Sequence, residues 1–199
     1  MVDRNPLELL PSRAKARLVK RTQPKWVAPM LATLTDERFS REGWLFEPKW
    51  DGERCLVFRR ERDLRLFSRN RIRLGEKYPE IVAALRHQRI DSFIADGEIV
   101  ALKDGITSFA KLQERMKVAR PSEDLLRSVP VRLYLFDLLY LHHYDIRQVP
   151  LQYRKEILGG TFEFRDSLQF TEHQESGRRG LFSGSMPERL GGCCRQEWR

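Results

Sequence analysis

The stretch Glu47-Pro48-Lys49-Trp50-Asp51-Gly52-Glu53-Arg54 decides which fold and which chemistry this chain is expected to have. Lys49 lies between acidic neighbours, close to an Asp-Gly pair and five residues before Arg54. An Asp-Gly pair bends the chain tightly, and a glycine lets phosphates approach the backbone. Glu47 and Lys49 are two residues apart, so in an extended segment both side chains point to one side. The alternative is an exposed lysine at a strand end, followed by an Asp-Gly hairpin turn.

A lysine in this setting is a candidate nucleophile. Nucleophilic attack requires a neutral amine, whereas free lysine has a pKa of about 10.4 and is almost fully protonated at neutral pH. Nearby cations and partial burial lower such a pKa, and Arg54 and a bound metal ion are candidate cations. The stretch matches the pattern E-x-K-x-D-G-x-R, which is typical of nucleotidyltransferases that carry AMP or GMP on a lysine.

The composition of the chain favours a polyanionic partner. The 199 residues include 37 Lys and Arg against 28 Asp and Glu, which gives a net charge of +9 and a pI near 9.8. Nucleic acid is the simplest partner for such a charge, and a solvated basic face is the alternative. Cys55, Cys193 and Cys194 form neither a disulfide framework nor a metal-ligand pattern, and we therefore expect an intracellular, cytoplasmic protein. We find no apolar run long enough for a membrane span and no apolar signal core.

Three regions are predicted along the chain. Residues 1–25 carry seven basic and two acidic side chains, and we expect a basic flexible arm that contacts phosphates or is only solvated. Residues 26–175 are predicted to form a domain of helices and strands. Residues 176–199 are rich in Arg, Gly and Ser and lack the periodicity of a strand or helix, so an irregular tail is expected.

Local patterns predict the elements of the central region. They are a hairpin of 56–58 with 64–67, a helix within 77–88, strands at 93–95 and 99–102 around Asp96-Gly97-Glu98, a turn at 103–105, a short helix capped by Ser108, a buried strand over 131–141, and a helix from Pro150 to Gly159-Gly160.

Three further motifs follow the lysine motif in order. Ser68-Arg69-Asn70 ends the hairpin, Asp96-Gly97-Glu98 lies between apolar runs, and Phe136-Asp137-Leu138-Leu139 lies in the buried strand. With these four motifs, residues 26–175 resemble the ATP-dependent DNA ligases, above all the ligase domain of bacterial end-joining enzymes. Pro29-Met30-Leu31-Ala32 and Gly43-Trp44-Leu45-Phe46 are similar to the segment that leads into that domain.

The resemblance implies a role for each matching residue. Lys49 would form the covalent lysyl–AMP, Glu47 would contact the adenine side of the nucleotide, and Phe136 would stack on adenine. Arg54 and Arg69 would lie near the ribose and phosphates, with Arg69 also close to DNA phosphate. Glu98 would bind the ribose hydroxyl or help to position a metal ion. These residue types suit such ligands, because arginine forks match phosphate oxygens and carboxylates bind Mg²⁺ or hydroxyl groups.

Each further motif taken alone also has a structural interpretation. Phe136 in an apolar run is commonly a core residue, and Asp-Gly-Glu is commonly a turn. Ser68-Arg69-Asn70 fits a polar strand exit equally well. We expect Asp137 to be a structural hydrogen-bond acceptor rather than a ligand.

The resemblance implies an α+β nucleotidyltransferase (ATP-grasp-like) adenylation domain, with antiparallel sheets flanked by helices and incomplete at its C-terminus. Implied cofactors are ATP and Mg²⁺ or Mn²⁺. Implied partners are nicked or broken duplex DNA and end-joining proteins, with a monomeric enzyme in the bacterial cytoplasm at the nucleoid. RNA ligases and capping-type nucleotidyltransferases share the lysine motif, and a non-catalytic fragment that binds nucleotide or DNA is another alternative.

Two elements of the family's pattern do not occur in the 199 residues. They are E-G-x-x-x-K and a K-x-K strand. Codons can be chosen for 190–198 such that reading one nucleotide later gives W-E-G-V-V-A-K-S, which contains the first element. We therefore hypothesise a frameshift near Ser176; a divergent natural tail is the alternative.

Overall fold

A computed structural model describes residues 5–31, 44–175 and 193–197. The helices are α1 (Ser12–Lys15), α2 (Pro79–Arg86), α3 (Phe109–Met116), α4 (Glu123–Ser128) and α5 (Leu151–Thr161). The strands are β1 (Val19–Lys20), β2 (Trp44–Pro48), β3 (Glu53–Arg60), β4 (Asp63–Phe67), β5 (Ser92–Lys103), β6 (Ile106–Thr107), β7 (Val131–Leu141), β8 (Tyr144–Asp145), β9 (Leu168–Phe170), β10 (Gln174–Glu175) and β11 (Cys193–Glu197). A mixed fold of helices and mostly antiparallel sheet confirms the predicted α+β class.

The large sheet has the strand order β1-β8-β7-β5-β3-β4, with β6 on β5 and β9 on β7. The β7–β9 pair is parallel, and the other pairs described in this sheet are antiparallel. The predicted hairpin is confirmed as β3–β4, and the turn between these strands places Glu61 at φ 56°. The predicted buried strand is confirmed as β7, the strand that lies between β5 and β8.

Side-chain alternation divides the large sheet into two faces. Cys55 and Val57 of β3 join the main hydrophobic core with residues of α2, α3 and α5. Leu56 and Phe58 join a smaller cluster on the opposite face, together with Trp26 and Val27. The predicted helices are confirmed, and Ser108 caps α3 by accepting a hydrogen bond from the Lys111 backbone N–H.

A small second sheet has the order β10-β2-β11. β2 belongs to this sheet and β3 to the large one, so the connection at 49–52 passes between sheets and is not a hairpin turn. A Cβ atom at Gly52 would lie 2.1 Å from the Ile99 carbonyl oxygen of β5. Glycine is therefore required here by the approach of two backbones.

The predicted flexible arm over 1–25 is wrong for residues 5–25. Leu7, Leu10 and Ala14 are buried in the main core, and β1 pairs with β8. The apolar side chains decide this outcome, because their burial fixes a segment whose charges remain exposed at its surface. Residues 1–4 lie outside the described residues.

Two further expectations need correction. Asp96-Gly97-Glu98 does not separate two strands, since it lies within the continuous strand β5. In the tail predicted to be irregular, residues 193–197 form β11, which pairs with β2. Residues 176–192 and 198–199 lie outside the described residues. Within the part of the chain that the structure describes, no helix combines the length and apolar character that a membrane crossing requires.

Candidate active site

The strand register brings two of the predicted site residues next to each other on the large sheet. Arg54 of β3 lies opposite Glu98 of β5, and Glu98 lies opposite Tyr134 of β7. Lys49 is exposed in the connection that leads from β2 into β3, and its charge acts on Glu98. Two adjacent strands and the connection before β3 therefore place Lys49, Arg54 and Glu98 near one another.

Arg54 is held by hydrogen bonds to two partners and by contact with an aromatic ring. Its Nε and Nη2 atoms donate to the Asp96 carboxylate at 2.6 and 2.7 Å, and Nη2 also donates to the Met30 carbonyl at 3.1 Å. Its guanidinium carbon lies 4.6 Å from the centre of the Phe136 ring. Burial raises the pKa of Asp96 to about 6, although the bonds from Arg54 lower it. Asp96, which sequence reasoning did not single out, thus orients Arg54.

Phe136 is directed into the site by a bulge in β7. Asp96 pairs with Asp137, and the next residue of β5 pairs with Leu135, so no residue of β5 lies opposite Phe136. Bulges of this kind re-aim a side chain and occur frequently beside active sites. Phe136 belongs to neither hydrophobic cluster of the described residues, and its ring borders a cavity of about 110 Å³ together with Arg54, Asp96 and Leu139. Phe136 is buried, with 9% exposure, but its ring packs against Arg54 beside the cavity rather than within either cluster.

Glu98 is half-buried beside several charges. Burial raises its pKa to about 7; Arg54 and Lys49 lower this pKa, and Asp96 and Asp51 raise it. Such a carboxyl group changes its protonation near neutral pH, and a cation or a hydroxyl group brought next to it shifts that equilibrium.

Glu47 points into the protein rather than to the exposed side of Lys49. Its carboxylate accepts a hydrogen bond from the Lys155 ammonium of α5. Burial raises the pKa of Glu47, and Lys155 opposes this effect. The same ammonium donates to the carbonyl oxygens of Phe136 at 3.2 Å and Thr171 at 3.1 Å.

Trp50, the residue that follows Lys49, is fixed by two contacts. Its ring stacks on Tyr134 with centroids 4.0 Å apart, and its Nε1–H donates to Thr171 Oγ1 at 3.1 Å. Sequence reasoning missed Trp50 and Lys155. Trp50 lies inside the first motif, and an aromatic residue directly after Lys49 was the available signal.

Arg69 is exposed two residues beyond β4. Phe67 pairs with Leu56, so the chain after β4 continues along the end of β3 that carries Arg54. Ser68 Oγ organises this loop by accepting from the backbone N–H groups of Asn70 and Ile72. The contacts of the described residues do not join Arg69 to the other five predicted site residues.

Asp137 has the structural role that the sequence predicts. It accepts from Arg154 Nε at 2.8 Å and Nη2 at 2.9 Å, and from its neighbour's backbone N–H. Among the residues that the structure describes, no cluster of three His, Cys, Asp or Glu side chains is arranged to hold a metal ion. A divalent ion at this site would therefore need ligands from a nucleotide or from water.

Comparison with known proteins decides the family. The sequence profile of the family described as ATP dependent DNA ligase domain matches residues 29–179. The chain belongs to the ATP-dependent DNA ligase domain family.

Two curated ligases and two solved structures show the extent of the similarity. DNA ligase C1 of Mycolicibacterium smegmatis is 34% identical over 138 residues, which cover 66% of this chain and 40% of that protein. A DNA ligase of Saccharolobus islandicus is 29% identical over 132 residues, covering 65% of this chain and 22% of its own length. The chain thus spans well under half the length of these relatives.

The ligase domain of Mycobacterium tuberculosis LigD is 30% identical, with a TM-score of 0.53, and the match covers 67% of this chain and 42% of that one. A mycobacterial DNA ligase D in complex with ATP and MES is also 30% identical, with a TM-score of 0.54 and coverage of 75% and 47%. These structures confirm the predicted nucleotidyltransferase fold.

Proposed function

We propose that this ligase domain transfers AMP from ATP to Lys49 as the first step in sealing nicked duplex DNA. The observation that carries the proposal is the grouping of four side chains: Arg54 and the bulged Phe136 border one cavity, Glu98 lies opposite Arg54, and the charge of Lys49 acts on Glu98. Three of these side chains come from adjacent strands of one sheet, and each has the chemistry that one part of a nucleotide requires.

Each side chain has a specific task in this proposal. Phe136 stacks on adenine, a contact of about 1–3 kcal/mol. The planar guanidinium group of Arg54 donates hydrogen bonds to phosphate oxygens, and the Glu98 carboxylate accepts a hydrogen bond from a ribose hydroxyl. Glu47 contacts the adenine side, and Arg69 lies outside the pocket, where DNA phosphate approaches the sheet.

The chemistry consists of three displacements at phosphorus. The neutral Lys49 amine attacks the α-phosphate of ATP, forming a P–N bond and releasing pyrophosphate. The DNA 5′-phosphate then attacks that AMP, and the P–N bond breaks. Finally the 3′-hydroxyl attacks the activated 5′-phosphate and AMP leaves. In all three steps the chain's own residues bind, orient and neutralise charge, as is typical of transfers at phosphorus.

A divalent cation, Mg²⁺ or Mn²⁺, fits this site through Glu98. Mg²⁺ is commonly held by one or two carboxylates together with substrate phosphates and water, so a complete cage of protein ligands is not needed. When bound, the ion neutralises charge that develops on the phosphates.

DNA is the proposed substrate because the relatives are named DNA ligases and because the net charge of +9 favours a polyanion. We further propose a monomeric enzyme in the bacterial cytoplasm, at the nucleoid and with end-joining proteins as partners.

The frameshift hypothesis applies to residues 176–199. The family match ends at residue 179, close to Ser176, which supports a change of reading frame there. Since E-G-x-x-x-K and K-x-K do not occur in the 199 residues, we expect this chain to seal nicks poorly or not at all. The nucleotide sequence around codon 176 tests the hypothesis, and a nick-sealing assay compares the chain with its alternate-frame form. Equal, robust sealing by both forms would contradict the expected loss of nick sealing in this chain.

Labelling with α-³²P-ATP tests the nucleophile. The chain is incubated with the label and separated on a denaturing gel. Lys49→Ala and Lys49→Arg should both abolish the labelled band, because neither side chain supplies a neutral amine. Lys103→Ala, at an exposed lysine that ends β5, is the matched control and should keep the label. Label that persists on Lys49→Ala would refute the assignment.

A further inference from the structure

Lys155 joins three segments that the proposed reaction needs in a fixed arrangement. Its side chain is fully buried, with 0% exposure. Its ammonium donates to Glu47, to the Phe136 carbonyl and to the Thr171 carbonyl. Three acceptors match the three N–H bonds of an ammonium group. One acceptor lies two residues before Lys49, and another is the backbone of Phe136.

The second of these contacts meets the bulge in β7. No residue of β5 lies opposite Phe136, so the Phe136 carbonyl is outside the regular ladder between these strands. Lys155 supplies a donor to that oxygen at 3.2 Å. The bulge that turns the Phe136 ring toward the cavity is thus stabilised from the opposite side by α5.

A second chain of contacts reaches Lys49 from its other side. Trp50 donates to Thr171 Oγ1, and Thr171 accepts from Lys155 through its carbonyl oxygen. The Thr171 backbone N–H in turn donates to the Leu135 carbonyl at 2.9 Å. The residues at both sides of Lys49 are therefore connected to Lys155, one directly and one through Thr171.

Stability alone does not account for a buried pair of this kind. The desolvation of two charges offsets much of their attraction, and well-packed apolar residues frequently replace such a pair without loss of stability. An apolar side chain at 155 would fill the space but would bind neither Glu47 nor the Phe136 carbonyl. What the ammonium adds is the relative placement of β2 and the bulge.

We propose that Lys155 is a positioning residue for adenylation. It fixes the position of β2, the strand before Lys49, relative to the Phe136 ring of β7. Lys155 does not touch the nucleotide; it acts through Glu47, Phe136 and Thr171. The proposal rests on the proposed function of Lys49 and Phe136.

The test compares Lys155→Met with Arg115→Met in the full 199-residue chain. Arg115 is equally buried, lies on α3 and pairs with Glu80 at 2.7 Å, away from the residues of the candidate site. Both variants remove a buried cation and should lower the melting temperature. Only Lys155→Met should slow AMP transfer at saturating ATP, by about 10²-fold, as expected when reacting groups are displaced by about 1 Å.

The ATP concentration for half-maximal rate separates positioning from binding. Loss of placement acts on the transition state, so this concentration should change little in Lys155→Met while the rate constant falls. All rates are measured below the melting temperatures, with the folded fraction checked by circular dichroism. Equal slowing in both variants would mean that Lys155 is only structural, and the proposal would be overturned.

Hydrogen exchange distinguishes this proposal from the proposed function. If the unmodified chain forms no lysyl–AMP, the proposed function fails in this chain. The rates of backbone hydrogen exchange at 44–50 and 134–138 then test the role of Lys155 independently of activity. Faster exchange in these segments in Lys155→Met but not in Arg115→Met would support the positioning role of Lys155. Unchanged exchange, or the same change in both variants, would overturn it.

Discussion

On β3, Cys55 and Val57 point to the helices, whereas Arg54 and Leu56 point to the opposite face of the same strand. The helix-covered face is apolar and closely packed. The other face carries Arg54 and Asp96 next to a cavity of about 110 Å³, with Glu98 opposite Arg54. The comparison teaches that one face provides the stability and the other, where buried charges are costly, provides the chemistry.

The first prediction breaks the apolar face. Phe93 is fully buried and its ring meets Phe162 edge-on at 4.8 Å. Phe93→Ala should lower the free energy of unfolding by about 3–5 kcal/mol, through lost transfer energy and a cavity. Urea titration measures this loss. The increase in melting temperature on adding ATP should remain in this variant. Loss of that increase would show that ATP binding depends on the packing of the apolar face.

The second prediction breaks the polar face. Phe136→Ala should weaken ATP binding by about 10-fold, in line with a stacking contact of about 1–3 kcal/mol. Phe136→Tyr and Phe136→Trp should retain part of the affinity. Melting curves with and without ATP provide the measurement, and Phe93→Leu serves as a control of similar kind on the other face. A stability loss without a change in the ATP shift would assign Phe136 to the core.

The third prediction concerns the pH dependence of stability. Burial raises the pKa of Glu98 from 4.5 to about 7, so the folded state binds more protons than the unfolded state between these values. The ionised Glu98 carboxylate therefore lowers the stability of the folded state above about pH 7, and this loss is recovered as the pH falls from about 7 to 4.5. Glu98→Gln should raise the melting temperature at pH 8 and have little effect at pH 4.5. An equal rise at both values would contradict the pKa of this carboxyl group.

The large elements of the fold follow from local patterns in the sequence. Hydrophobic alternation predicts the β3–β4 hairpin, an apolar run predicts β7, and Ser108 marks the start of α3. The order of the four motifs also predicts which family the chain belongs to. These features depend on residues close together in sequence, and for that reason they can be predicted without a structure.

The features that were missed depend on long-range packing. Lys155 looks like a solvated charge in sequence, but α5 packs against β7 and buries it beside Glu47. The bulge at Phe136 arises from the pairing of two strands about 40 residues apart, and Phe136 itself carries no local signal of it. The N-terminal segment has the composition of an arm because its charges outnumber the few apolar residues that anchor it.

The close approach at Gly52 limits how the gene can vary. Every substitution of glycine adds at least a Cβ atom, which would lie 2.1 Å from the Ile99 carbonyl oxygen and 3.0 Å from Glu98 Cγ. Backbone cannot yield by that amount without moving the strand that carries Glu98. In a library of random variants selected for AMP transfer, codon 52 should therefore remain glycine, whereas codon 103 should accept many residues.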